Sequence, residues 1–250
     1  MKILDINTGI GRPLRARRFI DAEGLLRYMD DYGIAEAVTY HAEALREPYK
    51  GNALMLEQAE KTPRLHPCLV VDASLEDLGI PGEGSVLQRL KAARPAALRI
   101  FPVSQKQRFQ SFYGAAIFEA ADALRLPLIV TPPYKPEFWQ ELPRVAADYP
   151  NMPIVILQFG FNQSRTVFPV LKGCRNVYFD ISHMLDCGQV EEICQRFGSS
   201  NLLFGSNLPQ QEPSGPLGLL LYNKRITETQ QQDIAAGNWQ RLEGGILYDN

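Results

Sequence analysis

The sequence predicts a single (β/α)8 barrel, because short apolar segments alternate with helical segments along the whole chain and eight of each can be counted. The length of 250 residues is also about what one such barrel uses. Hydrophobic residues make up 45% of the chain and charged residues 22%, which provides enough apolar material for a sizeable core. We therefore expect one domain that spans residues 1–250.

The predicted strands are short, apolar and bounded by turn-forming residues. They cover residues 3–6, 37–40, 65–71, 97–101, 128–130, 154–157, 177–181 and 202–204. Parallel strands need a crossover connection, and a helix is the usual one. The spacing between these strands leaves room for a helix after each of them.

The first predicted helix begins at Asp21, which is a suitable N-cap, continues through Leu25 and Met29, and ends at Gly33. Helical periodicity recurs after each later strand. The remaining helices are predicted over residues 54–59, 86–93, 115–124, 139–147, 167–171, 190–197 and 227–242. Residues 210–218, with two prolines and two glycines, are predicted as a loop over the barrel mouth, the end where the strands finish.

The charge balance points to a small molecule as the partner. The formal net charge is -2 and the sequence has no basic stripe, so we expect neither nucleic acid nor a membrane surface as a partner. The apolar first strand follows the start directly and no apolar run is long enough for a membrane span, so we expect a cytoplasmic protein. Its four cysteines form no paired motif and should be reduced. The sequence leaves open whether the chain forms a homo-oligomer.

Several segments resemble the amidohydrolase-2 branch of the amidohydrolase superfamily, whose members are metal-dependent hydrolases with a TIM-barrel fold. The resemblance spans nearly the whole chain, through LDINTGIGRP, LLRYMDDYGIAEAV, PRLHPCLVVD, AALRIFP, NVYFDIS, LLFGSNLP and AAGNWQRL. It implies an Asp-x-His-x-His on the first strand, a polar residue on the fourth, His on the fifth and sixth, and Asp on the eighth. The matching residues here are Asn7, Gly9, Arg99, Thr131, Gln158 and Asn207.

These replacements predict a site without a tightly bound metal. A hydrolytic zinc site needs imidazoles and carboxylates, which hold the ion and lower the pKa of its bound water. Amide and hydroxyl oxygens are neutral, weak ligands. We therefore expect no metal and no other cofactor in this divergent member. The replacements are nevertheless polar, so the barrel mouth should remain a polar pocket.

Strand alternation predicts that these polar side chains converge. Four interior faces are expected, formed by Ile3, Asp5 and Asn7; Ala97, Arg99 and Phe101; Ile154, Ile156 and Gln158; and Leu203, Gly205 and Asn207. Tyr178, Asp180 and Ser182 should join them, and Tyr134 should line a lid. A guanidinium among neutral amides predicts a small anionic ligand held by Arg99. The alternative is that Arg99 pairs internally with Asp5 or Asp180.

Three residues are candidates for proton transfer. His41 follows the second strand, His183 follows the seventh, and Asp180 ends the seventh. All three lie at the end of the barrel where active-site loops gather, and a histidine titrates near neutral pH.

These observations leave three functions open. The first is a metal-independent hydrolase that acts on a carboxylate-bearing lactone, amide or ester. The second is a pseudoenzyme that binds a small anion or a partner protein without turnover. The third is a lyase or isomerase in which Asp180 or a histidine acts as the base beside a carbonyl group.

Overall fold

Eight parallel strands form one barrel, which confirms the predicted (β/α)8 fold. A computed structural model describes residues 1–12, 19–133, 135–158, 164–184 and 186–249. The strands pair in the order in which they occur in the chain. They are β1 (Leu4–Ile10), β2 (Glu36–His41), β3 (Leu65–Val70), β4 (Ala97–Ile100), β5 (Leu128–Val130), β6 (Ile154–Ile156), β7 (Val177–Asp180) and β8 (Leu202–Leu203).

The seam between the first and the last strand is closed by individual backbone hydrogen bonds. The amide of Ile6 donates to the carbonyl of Phe204 at 3.0 Å, and the amide of Gly9 donates to the carbonyl of Leu208 at 2.9 Å. Every other neighbouring pair of strands forms a parallel ladder. The barrel is therefore held at this seam by residues from the two ends of the chain.

Helices surround the barrel, and some of them begin at side-chain caps that the sequence supplies. The side chain of Asp21 accepts a hydrogen bond from the amide of Gly24, as predicted for the first helix, and Ser85 forms a capping box with Gln88. The α-helices are α1 (Ala22–Asp31), α2 (Pro48–Lys61), α3 (Val86–Ala93), α4 (Ser111–Leu124), α5 (Pro136–Asp148), α6 (Ser164–Gly173), α7 (Gln189–Phe197), α8 (Ser214–Leu221), α9 (Glu228–Gln232) and α10 (Asn238–Gly244). Two short 3-10 helices, Ala42–Leu45 and Ala73–Leu75, follow β2 and β3.

Two predicted segments differ from the structure near the end of the chain. The stretch 210–218 was expected to be a loop, but its second half belongs to α8, where apolar residues pack onto the core. The predicted helix 227–242 is divided into α9, a π-helical turn (Asp233–Gly237) and α10. Proline and glycine lowered the helical signal of α8, and burial of Leu217 and Leu220 outweighs it.

The apolar core has two layers, one inside the barrel and one between the barrel and the helices. The layer to which a strand residue belongs shows whether its side chain faces the barrel interior. One cluster contains the helix faces and the strand residues that point outward, and the other fills the barrel. The strand residues of the interior cluster are Leu4, Ile6, Val38, Tyr40, Cys68, Val70, Ala97, Ile129, Val155 and Leu203, with Tyr178 packed against it.

The predicted interior faces are correct for β4, for Tyr178 on β7 and for Leu203 on β8, and they are wrong for Ile3 and for β6. Ala97 and Phe101 lie inside with Arg99 between them in sequence, as expected. On β6 the expected alternation is inverted, because Ile154 and Ile156 belong to the outer layer. On β1, Ile3 also lies in the outer layer.

Irregular backbone explains why the polar residues still reach the mouth. The register between β1 and β2 shifts between Asp5 and Thr8, which turns Asn7 toward the barrel interior. Gln158 follows β6 with a φ of 50°, in the left-handed region, so simple alternation does not apply to it.

Three of the four cysteines are buried and none forms a disulfide, in agreement with the sequence. Cys187 is the exposed one. Among the residues that the structure describes, no helix is long and apolar enough to cross a membrane.

Candidate functional site

A cleft of about 300 Å³ opens at the end of the barrel where the strands finish. We call it the mouth cleft. It is lined by Tyr40, Leu45, Arg99, Phe101, Val103, Ser104, Thr131, Pro132, Gln158 and Gln210. These residues come from β2, from β4, and from the segments that follow β2, β4, β5, β6 and β8. Active sites of this fold lie at the same end, so the mouth cleft is the candidate site.

Arg99 is a buried cation at the base of the mouth cleft. It is only 3% exposed, and its Nη2 donates to the side-chain oxygen of Asn7 at 3.1 Å and to the hydroxyl of Thr131 at 3.3 Å. Its Nε is buried without a hydrogen-bond partner. Within the described ranges Arg99 forms no ion pair, so the predicted alternative of pairing with Asp5 or Asp180 is not found.

Two aromatic rings flank the guanidinium of Arg99. Its central carbon lies 4.6 Å from the ring centre of Tyr40 and 4.5 Å from that of Phe101. Both contacts are within the range of cation–π attraction, which is strongest when water is excluded. Burial lowers the pKa of Arg99 from its ordinary value, but that value is so high that the group remains a cation near neutral pH.

Asp180 accepts hydrogen bonds from Gln158, which lines the cleft, and from Asn7, which bonds to Arg99. Its carboxylate accepts hydrogen bonds from the Asn7 side-chain amide at 3.3 Å, from the backbone amide of Gln158 at 3.0 Å and from the hydroxyl of Ser182. Asp180 is fully buried, and burial raises its pKa. It therefore fixes Asn7, and through Asn7 the position of Arg99.

A chain of hydrogen bonds continues from Asp180 toward the surface. Ser182 Oγ lies 3.1 Å from Nδ1 of His183, and Nε2 of His183 lies 2.9 Å from the side-chain nitrogen of Gln211. An amide nitrogen is a donor, so Nε2 of His183 is the acceptor and Nδ1 carries the proton. Gln211 is adjacent in sequence to Gln210, which lines the mouth cleft. The basic nitrogen of His183 is thus held near the rim by an amide.

A second buried carboxylate lies beside this network. Asp5 is fully buried, and one of its oxygens accepts from the backbone amides of Asn7 and Ser206. Its other oxygen is buried and has no hydrogen-bond partner among the residues that the structure describes. Burial is the main cause that raises the pKa of Asp5 to about 6.

The structure brings together most of the residues predicted from the sequence. Asn7, Arg99, Thr131, Gln158 and Asp180 form one connected group, and His183 is joined to it through Ser182.

The other predicted residues lie apart from this group. His41 lines a separate cavity with Gly11 and Gln58, and its Nδ1 accepts from the backbone amide of Glu43. Half-burial lowers the pKa of His41. Asn207 is buried with a φ of 65°, and its backbone carbonyl accepts from the amides of Gln210 and Gln211.

One predicted residue, Tyr134, lies outside the residues that the structure describes. Seven of the ten described residues that line the mouth cleft were not among the predicted site residues. Strand alternation does place Phe101 on the interior face with Arg99, and it could also have identified Tyr40, which shares an interior face with Val38. Gln210 carried no signal, because it reaches the cleft through a loop whose path depends on packing.

The donor groups at the mouth do not fit a catalytic metal. Within the described residues, no group of three or more His, Cys, Asp or Glu side chains is placed to hold an ion. The positions that the resemblance matches to ligands on β1 and β5 are Asn7 and Thr131, and both bond to the guanidinium of Arg99. A divalent ion at that point would meet a fixed positive charge and neutral oxygen donors.

Comparison with known proteins identifies related sequences and folds. Residues 87–242 match the amidohydrolase-2 family model, which is described as amidohydrolase. Among the curated proteins, none matches the chain.

Solved structures share the fold at low sequence identity. An uncharacterized TIM-barrel protein from Bordetella bronchiseptica has a TM-score of 0.74 and 16% identity, over 98% of this chain and 99% of that one. A 2,6-dihydroxybenzoate decarboxylase from Rhizobium has a TM-score of 0.74 and 12% identity, over 98% and 99%. A dihydroxybenzoic acid decarboxylase from Polaromonas sp., with bound manganese and the inhibitor 2-nitroresorcinol, has a TM-score of 0.72 and 14% identity, over 97% of each chain.

Proposed function

The chain belongs to the amidohydrolase family, and on that basis we propose that it is an enzyme that hydrolyses a small carboxylate-bearing lactone, amide or ester in the mouth cleft without a resident metal. The observation that carries this proposal is Arg99. It is a buried guanidinium that lines the cleft and is held by neutral groups, and among the described residues no carboxylate forms an ion pair with it.

A buried cation without a counter-ion is costly, and a ligand that supplies the anion compensates for the cost. The guanidinium favours a carboxylate, which can accept from Nη1, because both hydrogens of Nη2 already donate to Asn7 and Thr131. The hydroxyl and amide groups of Tyr40, Ser104, Thr131, Gln158 and Gln210 can donate to further oxygens of the same ligand. A cleft of about 300 Å³ is at the small end of ligand sites, which favours a compact metabolite.

The structural neighbours support an acid as the substrate. The names of two of them state that they decarboxylate a dihydroxybenzoic acid, which carries a carboxylate. Their low sequence identity limits this support to the fold and the general class of ligand. If the protein is an enzyme but not a hydrolase, the alternative is a lyase that acts on a substrate whose carboxylate is bound by Arg99 in the same way.

His183 is the proposed general base for hydrolysis. When its Nε2 exchanges the Gln211 amide for a water molecule, it can accept a proton as the water oxygen attacks the substrate carbonyl. The tetrahedral intermediate then collapses, and the same proton passes to the departing alcohol or amine. Asp180 acts through Ser182 by orienting the imidazole, so in this proposal it is a positioning residue.

A panel of small acids and their esters tests the proposal. Benzoate and acetate should bind with saturation in calorimetry, and their neutral methyl esters should bind at least about tenfold more weakly. Monomethyl succinate, succinamate and carboxylated γ-lactones should be tested for hydrolysis by proton NMR.

Arg99→Met should remove both binding and turnover. Arg64→Met is a suitable control, because Arg64 bonds to Asp30 and to backbone carbonyls and does not line the mouth cleft. Unchanged binding of the acids by Arg99→Met would refute the proposal.

A second candidate function is binding without turnover. Among the described residues that line the mouth cleft, none is His, Asp, Glu, Lys or Cys, so its wall offers no strong base. This candidate predicts saturable binding of the acids with no product from any ester, amide or lactone. Product formation that depends on His183 would rule it out.

A further inference from the structure

The side chains of Asn7 and Thr131 meet at the guanidinium of Arg99. The Nη2 atom of Arg99 lies between the side-chain oxygen of Asn7 and the hydroxyl of Thr131, at 3.1 and 3.3 Å. Asn7 belongs to β1, Arg99 to β4, and Thr131 directly follows β5. These are positions that the family resemblance matches to the metal centre, and a structural neighbour contains manganese.

The groups around this cation are all neutral at the distances of direct contact. An amide oxygen and a hydroxyl accept from it, and two aromatic faces lie against it. A carboxylate in place of Asn7 or Thr131 would form an ion pair and cancel the charge. Neutral acceptors instead fix the position of the guanidinium and leave its charge available to a ligand.

The orientation of Asn7 is itself fixed by a carboxylate. The Asn7 amide nitrogen donates to Asp180, so its oxygen must face Arg99. Gly205 leaves the space for this arrangement, because a Cβ there would lie 2.7 Å from an oxygen of Asp180 and 3.0 Å from the Cβ of Asn7. Asp180 and Gly205 together therefore determine how Asn7 presents its oxygen to Arg99.

We propose that the guanidinium of Arg99 replaces the metal of the family as the positive centre of the site, with Asn7 and Thr131 acting as its ligands. The cation is part of the chain, and it excludes a divalent ion from the same place by charge repulsion. The proposal rests on the proposed function in one respect only. It assigns the acidic group of the ligand to Nη1 of Arg99, because Nη2 donates to Asn7 and Thr131.

Chemical rescue tests the acceptor site directly. In Arg99→Ala, methylguanidinium at low millimolar concentration should bind between Asn7 and Thr131 and raise the melting temperature with saturation. The double variant Arg99→Ala/Asn7→Leu should show no such rise, since one acceptor is gone, and neither should Arg144→Ala, because the Arg144 side chain is 73% exposed. This readout needs no substrate, so it is independent of the proposed function. Equal stabilisation of all three variants, or none in Arg99→Ala, would overturn the proposal.

Metal content provides the second test, in the wild-type protein. Elemental analysis should find far less than one zinc, manganese or iron per chain after growth with each metal. Treatment with a chelator should leave the affinity for benzoate unchanged. Stoichiometric metal, together with a loss of benzoate binding after chelation, would overturn the metal replacement and the metal-free character of the proposed hydrolase, and would assign carboxylate binding to the metal. If wild type binds no carboxylate but Arg99→Ala is rescued, the proposed function fails and the cation site stands.

Discussion

The guanidinium of Arg99 donates a hydrogen bond to the side-chain oxygen of Asn7, and the amide nitrogen of Asn7 donates to Asp180. One neutral side chain therefore separates a buried cation from a buried anion. Without this spacer the two charges would pair with each other. With it, Arg99 forms no ion pair within the described residues, which is what the proposed binding of an external acid requires, and the carboxylate of Asp180 orients Asn7.

Asn7→Asp should weaken carboxylate binding by about tenfold or more, because an acidic side chain at this point pairs with Arg99 and neutralises it. Asn7→Leu removes the hydrogen bond but keeps the charge of Arg99, so its loss of affinity should be smaller. Calorimetric titration of both variants with benzoate compares the two effects. A larger loss in Asn7→Leu would show that position matters more than charge.

Arg99→Met should abolish carboxylate binding without lowering the free energy of unfolding. The methionine fills similar space and removes a buried cation with no ion pair in the described structure, so stability should be equal or higher, by about 1 kcal/mol. Arg64→Met should lose stability instead, since Arg64 bonds to Ile34, Ala35 and Asp30. Urea denaturation measures both. A strongly destabilised Arg99→Met would mean that Arg99 serves mainly the fold.

Gly205→Ala should disturb the site from beneath. The new Cβ would lie 2.7 Å from an oxygen of Asp180, so that Asp180 or Asn7 must move, at a cost of about 1–3 kcal/mol in stability and with weaker ligand binding. Gly218→Ala is the matched control. It lies within α8 with no atom within 4 Å of the added Cβ, and should gain up to about 1 kcal/mol. Equal stabilities of the two variants would contradict the crowding at Gly205.

Asp5 should make the protein less stable as the pH rises. Its pKa is raised from 3.8 to about 6, so the folded state binds more protons than the unfolded state between these values. The free energy of unfolding should therefore fall most steeply from about pH 4 to pH 6 and level off at higher pH. Ionisation of Asp5 alone should lower it by about 2 kcal/mol between about pH 4.5 and pH 7.5. Burial also raises the pKa of Asp180, which adds to the same trend.

Asp5→Asn should make this pH dependence shallower. The amide oxygen can still accept from the backbone amides of Asn7 and Ser206, while the ionisable group is removed. Denaturation curves of wild type and variant at several pH values give the comparison. Parallel stability profiles would show that Asp5 does not titrate in this range.

His183→Gln should lower kcat of ester or lactone hydrolysis by about a hundredfold or more and leave the affinity for benzoate nearly unchanged, because the imidazole is not part of the anion site. His41→Gln is the control, since His41 lines a different cavity. Loss of turnover in His41→Gln with normal turnover in His183→Gln would reverse the roles assigned to the two histidines.

The strand order and the position of Arg99 could be predicted because they depend on local pattern. Apolar segments marked all eight strands, and alternation on β4 correctly placed Arg99 between Ala97 and Phe101 on the interior face. The residues that could not be placed by alternation depend on irregular backbone. Gln158 has a positive φ, and a register shift precedes Thr8 on β1. Such features arise from the tertiary fit of neighbouring strands and leave no periodic trace in the sequence.

The contacts among the site residues could not be predicted from the sequence either. The sequence alone does not distinguish an internal ion pair of Arg99 with Asp5 or Asp180 from a guanidinium that is available to a ligand. The hydrogen bonds of Asn7 distinguish the two. His41 and His183 both follow strands, and only the fold shows that His41 lies apart from Arg99 and that His183 is linked to Asp180.

The seam between β1 and the segment after β8 also orders events during biosynthesis. The amides of Ile6 and Gly9 find their acceptors only in Phe204 and Leu208, which the ribosome adds after four fifths of the chain. Asn7, between them, is therefore not fixed in the nascent polypeptide until that late stage. The proposed anion site is completed only when these two parts of the chain meet, so an incomplete translation product would contain Arg99 without the assembled site.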